Sequence, residues 1–218
     1  MDKNFYSLDN LGLSLNFAKD AAKGFFLPDF FRHQDFVHNS GLLLNDISIK
    51  LKNQEYKPHQ ILTLEIPKTG LTTRPGSLIE FADFVVLFAV ICSFAKKLDT
   101  KLPDNVFSCR FNPNYQSPDQ PLFVDRDILL LPAEQRRKLK FFEQWYDAWP
   151  AFELATKEII DSEKYRYLVI SDISAYYENI NHDVLKNLLI KEHYYHQSYE
   201  VNLLLDFLRN WTTPLPDG

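Results

Sequence analysis

The sequence predicts an α+β fold with α/β-like features, in which helices predominate and the sheet is small. Three patterns predict it. Apolar residues follow helical spacing through the first 50 residues, a strand, a glycine turn and a second strand follow at residues 61–81, and a short apolar run ends at an acid at residues 167–172. A chain of 218 residues, 45% of them hydrophobic, can form one large or two small domains.

The composition disfavours several functional classes. A formal net charge of -5 argues against a stand-alone nucleic-acid-binding protein, because phosphate contacts need clustered Lys and Arg. The only cysteines, Cys92 and Cys109, give neither a disulfide framework nor a metal-ligand spacing, which favours a reducing cytoplasm. The N-terminus lacks a signal-peptide pattern, and the longest apolar run, residues 84–95, is shorter than the roughly 20 residues that span a bilayer. We therefore expect a cytoplasmic protein without a membrane segment.

The first half of the chain reads as helices followed by a hairpin. The helical pattern breaks at Leu27-Pro28, and alternating residues in ILTLEIPKTGLTTRPGSLIEF predict two strands joined at Gly70, with basic residues near the tip. Asp83 is a residue that can open the buried helix of the apolar run that follows.

The middle of the chain is less regular. VFSCRF, residues 106–111, is rich in strand formers and predicts a short strand. Residues 112–127 contain three prolines and predict a long surface loop, and helical patterning resumes over residues 132–164.

YRYLVISDI, residues 165–173, predicts a strand covered on both faces, because its apolar run is continuous. Asn181 is a good N-cap for the next helix, and a further helix is predicted at residues 198–210.

A covered strand delivers Asp172 to the sheet edge, where an aspartate can hold Mg²⁺, accept a phosphoryl group or cap the next turn.

The residues after Asp172 decide between these roles. SDISAYYENINHDVL resembles motif A of the reverse transcriptases, in the form found in group II intron, retron and bacterial phage-defence enzymes. The resemblance implies that Asp172 binds both catalytic Mg²⁺ ions and that the carbonyl of Ile173 touches one of them. It also implies that Tyr177 packs under the sugar of the incoming nucleotide and excludes a 2'-hydroxyl by steric clash.

The hairpin region carries a second resemblance to this family. EIPKTGLTTRPGSLIEFADFVVLFAVI is similar to its fingers segment, in which a Pro-Lys pair, a turn, an Arg-Pro pair and an aspartate-led apolar helix follow in order. The resemblance implies that Lys68 and Arg74 clamp the triphosphate. The terminal PLPDG resembles the start of motif B.

Further cations are weaker candidates for nucleic-acid contacts. Arg110 can touch template or primer, although a strand-end arginine is more often a salt-bridge partner. The patch RRKLK, with Arg136, Arg137 and Lys138, precedes an aromatic cluster, FFEQWY, and the alternative interpretation is the solvated face of an amphipathic helix.

The resemblance implies a polymerase right-hand fold with fingers and an incomplete palm. Its segments would be residues 1–82 for the N-terminal region and basic hairpin, 83–111 for the first palm segment, 112–163 for a loop and helices returning to the fingers, and 164–218 for the palm with motif A. The implied ligands are an RNA template, a DNA product, deoxynucleotides and two Mg²⁺ ions.

One family motif does not occur in this chain. Two-metal catalysis needs further carboxylates, which the family supplies from a Tyr-x-Asp-Asp hairpin called motif C, and the sequence contains no Asp-Asp pair. We therefore expect a fragment that is inactive alone and whose partners are the C-terminal palm and thumb, with an oligomer or a defence partner as further options. The proline-bearing loop and divergent N-terminus favour a phage-defence enzyme.

Two other functional classes stay open. In a phospho-acceptor receiver domain Asp172 would be the phosphorylated residue, but the acidic pair that this fold needs on its first strand is at the wrong distance. In a non-catalytic module the polymerase scaffold would bind nucleic acid or protein, and the joint presence of Lys68, Arg74 and Tyr177 argues against it.

Overall fold

The computed structural model describes residues 5–22, 30–67, 73–111, 140–173, 180–193 and 198–212. These residues form a helix-rich α+β arrangement with one two-stranded antiparallel sheet. The elements in chain order are α1 (Leu8–Ala21), α2 (Phe30–His38), α3 (Ser40–Lys52), β1 (Leu62–Pro67), β2 (Thr73–Leu78), α4 (Phe81–Cys92), α5 (Ala95–Asp99), α6 (Trp145–Asp161), α7 (His182–His193) and α8 (Tyr199–Trp211). The predicted fold class is confirmed at this level.

Helix α4 is the centre of the core. Its sequence FADFVVLFAVIC is apolar on almost every side, as expected for a helix that is packed all round. Helices α1, α2 and α8 pack against it, and Val85, Val86 and Val90 are fully buried there. The buried residues of α1, α4 and α8 belong to one hydrophobic cluster.

Side-chain caps fix the starts of three helices. The Ser7 hydroxyl accepts from the main-chain N–H of Asn10 at α1, and Ser198 accepts from Val201 at α8. Asn181 accepts from the N–H groups of the second and third residues of α7, at 2.9 and 3.1 Å. The predicted cap at Asn181 is thus confirmed.

The predicted hairpin is present. Strands β1 and β2 pair from Leu62 with Leu78 to Pro67 with Thr73, and Thr73 also donates a side-chain hydrogen bond to Glu65 at 2.9 Å. Gly76 lies beneath the side chain of Ile66, which occupies the space that any β-carbon at this position would need. The turn predicted at Gly70 lies outside the described residues.

The prediction that Asp83 opens the buried helix is wrong. Helix α4 begins at Phe81 after Glu80, and Asp83 is the third residue of its first turn, 0% exposed. Its carboxylate accepts the Tyr56 hydroxyl at 2.7 Å and the His59 main-chain N–H at 2.7 Å, and the His59 imidazole Nδ1 lies 2.9 Å away. Because a buried charge needs such partners, Asp83 joins α4 to the segment that follows α3.

Two predictions in the middle of the chain are also corrected. Residues 106–111 form no strand, because only Phe111 makes an isolated bridge, to Phe142, and Cys109 adopts a left-handed φ of 56° that interrupts an extended chain. Of the helical pattern predicted over residues 132–164, residues 145–161 form α6 and residues 140–144 are irregular, whereas residues 132–139 are outside the described part of the chain. Residues 112–139, including the predicted loop, lie outside the described part of the chain.

The predicted covered strand at residues 165–173 is not formed. These residues are irregular and exposed, and their large hydrophobic side chains range from 63% exposed at Tyr165 to 89% at Ile170. The physical reason is the lack of a pairing partner, since a strand is stabilised by its neighbours and no strand of the described residues lies beside this one.

Helix α6 is exposed along most of its length within the described part of the chain. None of its 17 residues is buried, although Trp145, Trp149 and Phe152 follow helical spacing along one side. No helix among the described residues has both the length and the apolar character required to cross a bilayer.

The Asp83 network yields a stability prediction. Tyr56→Phe removes a buried hydrogen bond to a carboxylate, so the free energy of unfolding at pH 7 should fall by about 1.5–3 kcal/mol. Burial, followed by the charge of Asp83, raises the pKa of Tyr56 above its ordinary value of 10.0. The stabilisation by Tyr56 is therefore present below pH 10 and is lost as pH rises. Above pH 10, the free energy of unfolding should fall by about 1.4 kcal/mol more per pH unit in the wild type than in Tyr56→Phe. Urea denaturation at several pH values measures both effects.

The exposed tyrosine Tyr165 gives the matched control. Tyr165→Phe should change the free energy of unfolding by less than about 0.5 kcal/mol. Equal effects of the two substitutions would contradict a stabilising role for the Asp83 network.

Candidate functional site

Asp172 lies in an exposed, irregular segment. Its carboxylate makes no hydrogen bond or ion pair with any described residue, and the next side chain, Ile173, is 67% exposed. The sequence predicts Asp172 at the rim of a covered sheet, and that placement is wrong for the described structure because residues 165–171 form no strand. The carboxylate is nevertheless accessible to a ligand.

The hairpin places one of the two predicted phosphate-binding cations. The main chain of Arg74 pairs with Ile66 near the turn end of the sheet. Lys68 lies outside the described residues, as does Tyr177 of the motif-A pattern. The structure therefore positions Asp172, Ile173 and the main chain of Arg74, and the proposed contact of this group with a nucleotide stays a prediction.

The basic patch at Arg136, Arg137 and Lys138 also lies outside the described residues. The chain is described again from Lys140, which forms an ion pair with Asp20 of α1. The neighbouring Phe141 is buried and stacks edge-on against Phe17, Phe88 and Phe111 at 5.2–5.4 Å between ring centroids. Lys140, the last residue of the predicted patch, is therefore held against α1, and the next residue, Phe141, packs in the core.

Arg110 has a structural role. Its guanidinium donates to both carboxylate oxygens of Asp99, at 3.1 and 3.2 Å, and also to the carbonyls of Pro103 and Val106. Asp99 further accepts from the main-chain N–H of Phe111 at 2.7 Å. These bonds fold residues 99–111 around one ion pair, which is the salt-bridge alternative predicted for Arg110.

Two features of the structure were not identified from the sequence as sites. The first is the buried Asp83 with its partners Tyr56 and His59, beside a groove of about 590 Å³. An aspartate inside the run FADFVVLFAV was the available signal, because an acid within a buried helix needs a partner. The position of its partners, 24 and 27 residues earlier, could not be read from local spacing.

The second feature is a groove of about 490 Å³ between the first turns of α6 and residues 105–109, here called the aromatic groove. Its walls include the aromatic side chains Phe107, Phe142, Trp145, Trp149 and Phe152. The sequence shows this aromatic cluster as FFEQWY, in which Trp145 is 76% exposed. The solvated-helix interpretation of the preceding patch RRKLK stays a prediction, because residues 136–139 lie outside the described part of the chain.

The described residues do not complete a magnesium site. Asp172 can supply one carboxylate, and Ile173 one carbonyl, but no group of three His, Cys, Asp or Glu side chains among the described residues could hold a metal ion. A two-metal site requires more oxygen ligands than this pair provides.

Comparisons with protein-family models, with curated proteins and with solved structures gave no match to this chain.

The Arg110 ion pair yields a prediction that separates a structural from a binding role. Arg110→Gln should lower the free energy of unfolding by about 1–2 kcal/mol, because it breaks a bidentate, partly exposed pair. Arg209→Gln breaks an exposed pair with Asp206 and should cost less than about 0.5 kcal/mol. Urea denaturation provides the comparison, and equal effects would contradict the structural role.

Proposed function

We propose that this chain forms the fingers and the first half of the palm of a reverse transcriptase. The complete enzyme would add deoxynucleotides to a primer hydroxyl on an RNA template. The observation that carries the proposal is the order of two independent patterns, a basic hairpin followed by a buried helix and, about 100 residues later, an acid followed by an aromatic residue at the fifth position.

The structure supports the proposal through the hairpin. An antiparallel pair of strands with Arg74 near its turn end is followed within three residues by the apolar helix α4, as the fingers pattern requires. Arginine on such a pair can grip phosphate oxygens with its forked guanidinium.

The exposure of Asp172 supports the proposal in a second way. A metal-binding carboxylate must be reachable by the ion and the triphosphate, and Asp172 is exposed and engages no described residue. In the proposed enzyme Asp172 binds the metal ions, and Lys68 with Arg74 binds the triphosphate. Tyr177 excludes ribonucleotides, and the carboxylates of a motif C complete the metal site.

The role of Asp172 is tested by primer extension. A polypeptide that contains this chain together with a motif C should extend a primer on an RNA template, and Asp172→Asn should lower the rate by at least about 100-fold, since metal-bound charge stabilisation supplies several kcal/mol. Asp161→Asn, at an exposed acid of α6, should retain the wild-type rate.

Two results would contradict the proposal for Asp172. One is an unchanged extension rate in Asp172→Asn. The other is template-directed incorporation by the 218-residue chain alone, because the chain has no Asp-Asp pair to complete the metal site.

The role of Tyr177 is tested by nucleotide selection. Tyr177→Val should raise the incorporation of ribonucleotides relative to deoxynucleotides by about 10- to 200-fold, the range set by one added group in a tight pocket. Tyr165→Val, at an exposed tyrosine in the same region, should leave the ratio unchanged. A constant ratio in both variants would remove Tyr177 from the nucleotide site.

A further inference from the structure

We propose that the aromatic groove beside α6 binds a small organic cation with an aromatic or other apolar body. The inference is independent of the proposed polymerase site, because it uses residues 105–109 and 142–152 and none of the motif-A residues. It rests on the shape of the groove, the chemistry of its walls and the charge around it.

The groove has the dimensions of a ligand site. Its volume of about 490 Å³ lies inside the range of roughly 300–1,000 Å³ that small-molecule pockets occupy. One wall is α6, whose residues Trp145, Ala148, Trp149 and Phe152 follow helical spacing and therefore share one side of the helix. The opposite wall is the irregular stretch of residues 105–109.

Neighbouring side chains hold several of the rings in place. Phe152 contacts both Trp149 and Phe107, at 5.4 and 5.9 Å between ring centroids. The Trp149 indole N–H donates to the Glu153 carboxylate at 2.7 Å, which fixes the orientation of the indole. Aromatic faces arranged around a cavity attract cations through their quadrupole, most strongly when the ring is tryptophan.

The charge around the groove has the sign that a cation requires. Among the described residues, Glu143 is the only Asp, Glu, Lys or Arg side chain that lines the groove. Arg110, next to Cys109 of the groove wall, pairs with Asp99. Its hydrogen bonds to Asp99, and the charges of Asp99, Asp104 and Glu143, raise the pKa of Arg110. Within the described chain, the Arg110 guanidinium is paired with Asp99, and Glu143 is the carboxylate that lines the groove.

The start of α6 does not reverse this sign. A helix N-terminus carries a partial positive charge that favours anions. Glu143 lies just before α6 and Asp147 lies in its first turn, so two carboxylates oppose that partial charge. The combination of aromatic walls with the carboxylate of Glu143 favours a cationic head group on an apolar body over an anion or a neutral apolar molecule.

The exposed thiol of Cys109 reports directly on occupancy. The chain contains two cysteines; Cys92 is 1% exposed, whereas Cys109 is exposed and lines the groove. A ligand in the groove should therefore slow the reaction of Cys109 with the neutral reagent N-ethylmaleimide. This reaction locates the ligand as well as detecting it.

The experiment compares two probes of the same shape in the wild-type chain. 4-(Trimethylammonio)benzyl alcohol carries a cationic head, and 4-tert-butylbenzyl alcohol is its neutral isostere. The cation should protect Cys109 from N-ethylmaleimide and should bind about tenfold more tightly than the isostere by calorimetry, as expected for a cation on aromatic faces. Equal protection by both probes, or protection by neither, overturns the proposal.

Substitutions assign the interaction to particular side chains. Glu143→Gln should weaken binding of the cation about three- to tenfold with little effect on the isostere, and Trp149→Leu should weaken it about tenfold. Glu158→Gln, at an exposed acid of α6 outside the groove, is the control and should retain wild-type affinity. Equal losses of affinity for the cation in Glu143→Gln and Glu158→Gln also overturn the proposal. The same holds if a lysine-rich peptide protects Cys109 better than the small cation does.

Discussion

The side chain of Asp83 reaches from the central helix α4 to the segment between α3 and β1, where its carboxylate accepts the Tyr56 hydroxyl and the His59 main-chain N–H. A carboxylate at 0% exposure without partners would cost several kcal/mol, so the helix can keep this acid only if the segment stays in place. The same segment leads directly into β1. The orientation of the hairpin relative to the core therefore depends on a polar contact inside an otherwise apolar helix.

The core explains why the polar contact is tolerated. Helices α1 and α8 pack against α4, and Phe207 of α8 lies 6.3 Å from Tyr56 between ring centroids. The apolar contacts supply most of the free energy of burial, since each fully buried large side chain contributes roughly 1.5–3 kcal/mol. The Asp83 contacts add specificity. They require a tyrosine hydroxyl and a free main-chain N–H at defined positions in the segment that follows α3.

The sequence predicted the helices and the hairpin well because their signals are local. Alternation and turn residues predicted the hairpin, and Asn181 predicted the start of α7. The stretch at residues 165–173 has the composition of a covered strand, but a strand forms only beside a partner, and the residues themselves do not specify that partner. The same limit applies to the candidate site. Local sequence singles out Asp172 as a candidate, but its environment depends on which part of the chain lies next to it. The aromatic groove likewise depends on a contact between residues 107 and 152 that no local pattern encodes.

The exposed stretch before Asp172 also constrains how a metal site could form. A single exposed carboxylate on an irregular chain binds a divalent cation weakly, because the ion keeps its water and the chain loses conformational freedom on binding. Pairing of residues 167–170 with another strand would bury their apolar side chains and fix the direction of Asp172 at the same time. Metal affinity and strand formation at this position are therefore coupled, since each lowers the free-energy cost of the other. The metal chemistry proposed for Asp172 would therefore require a paired strand before it as well as the carboxylate itself.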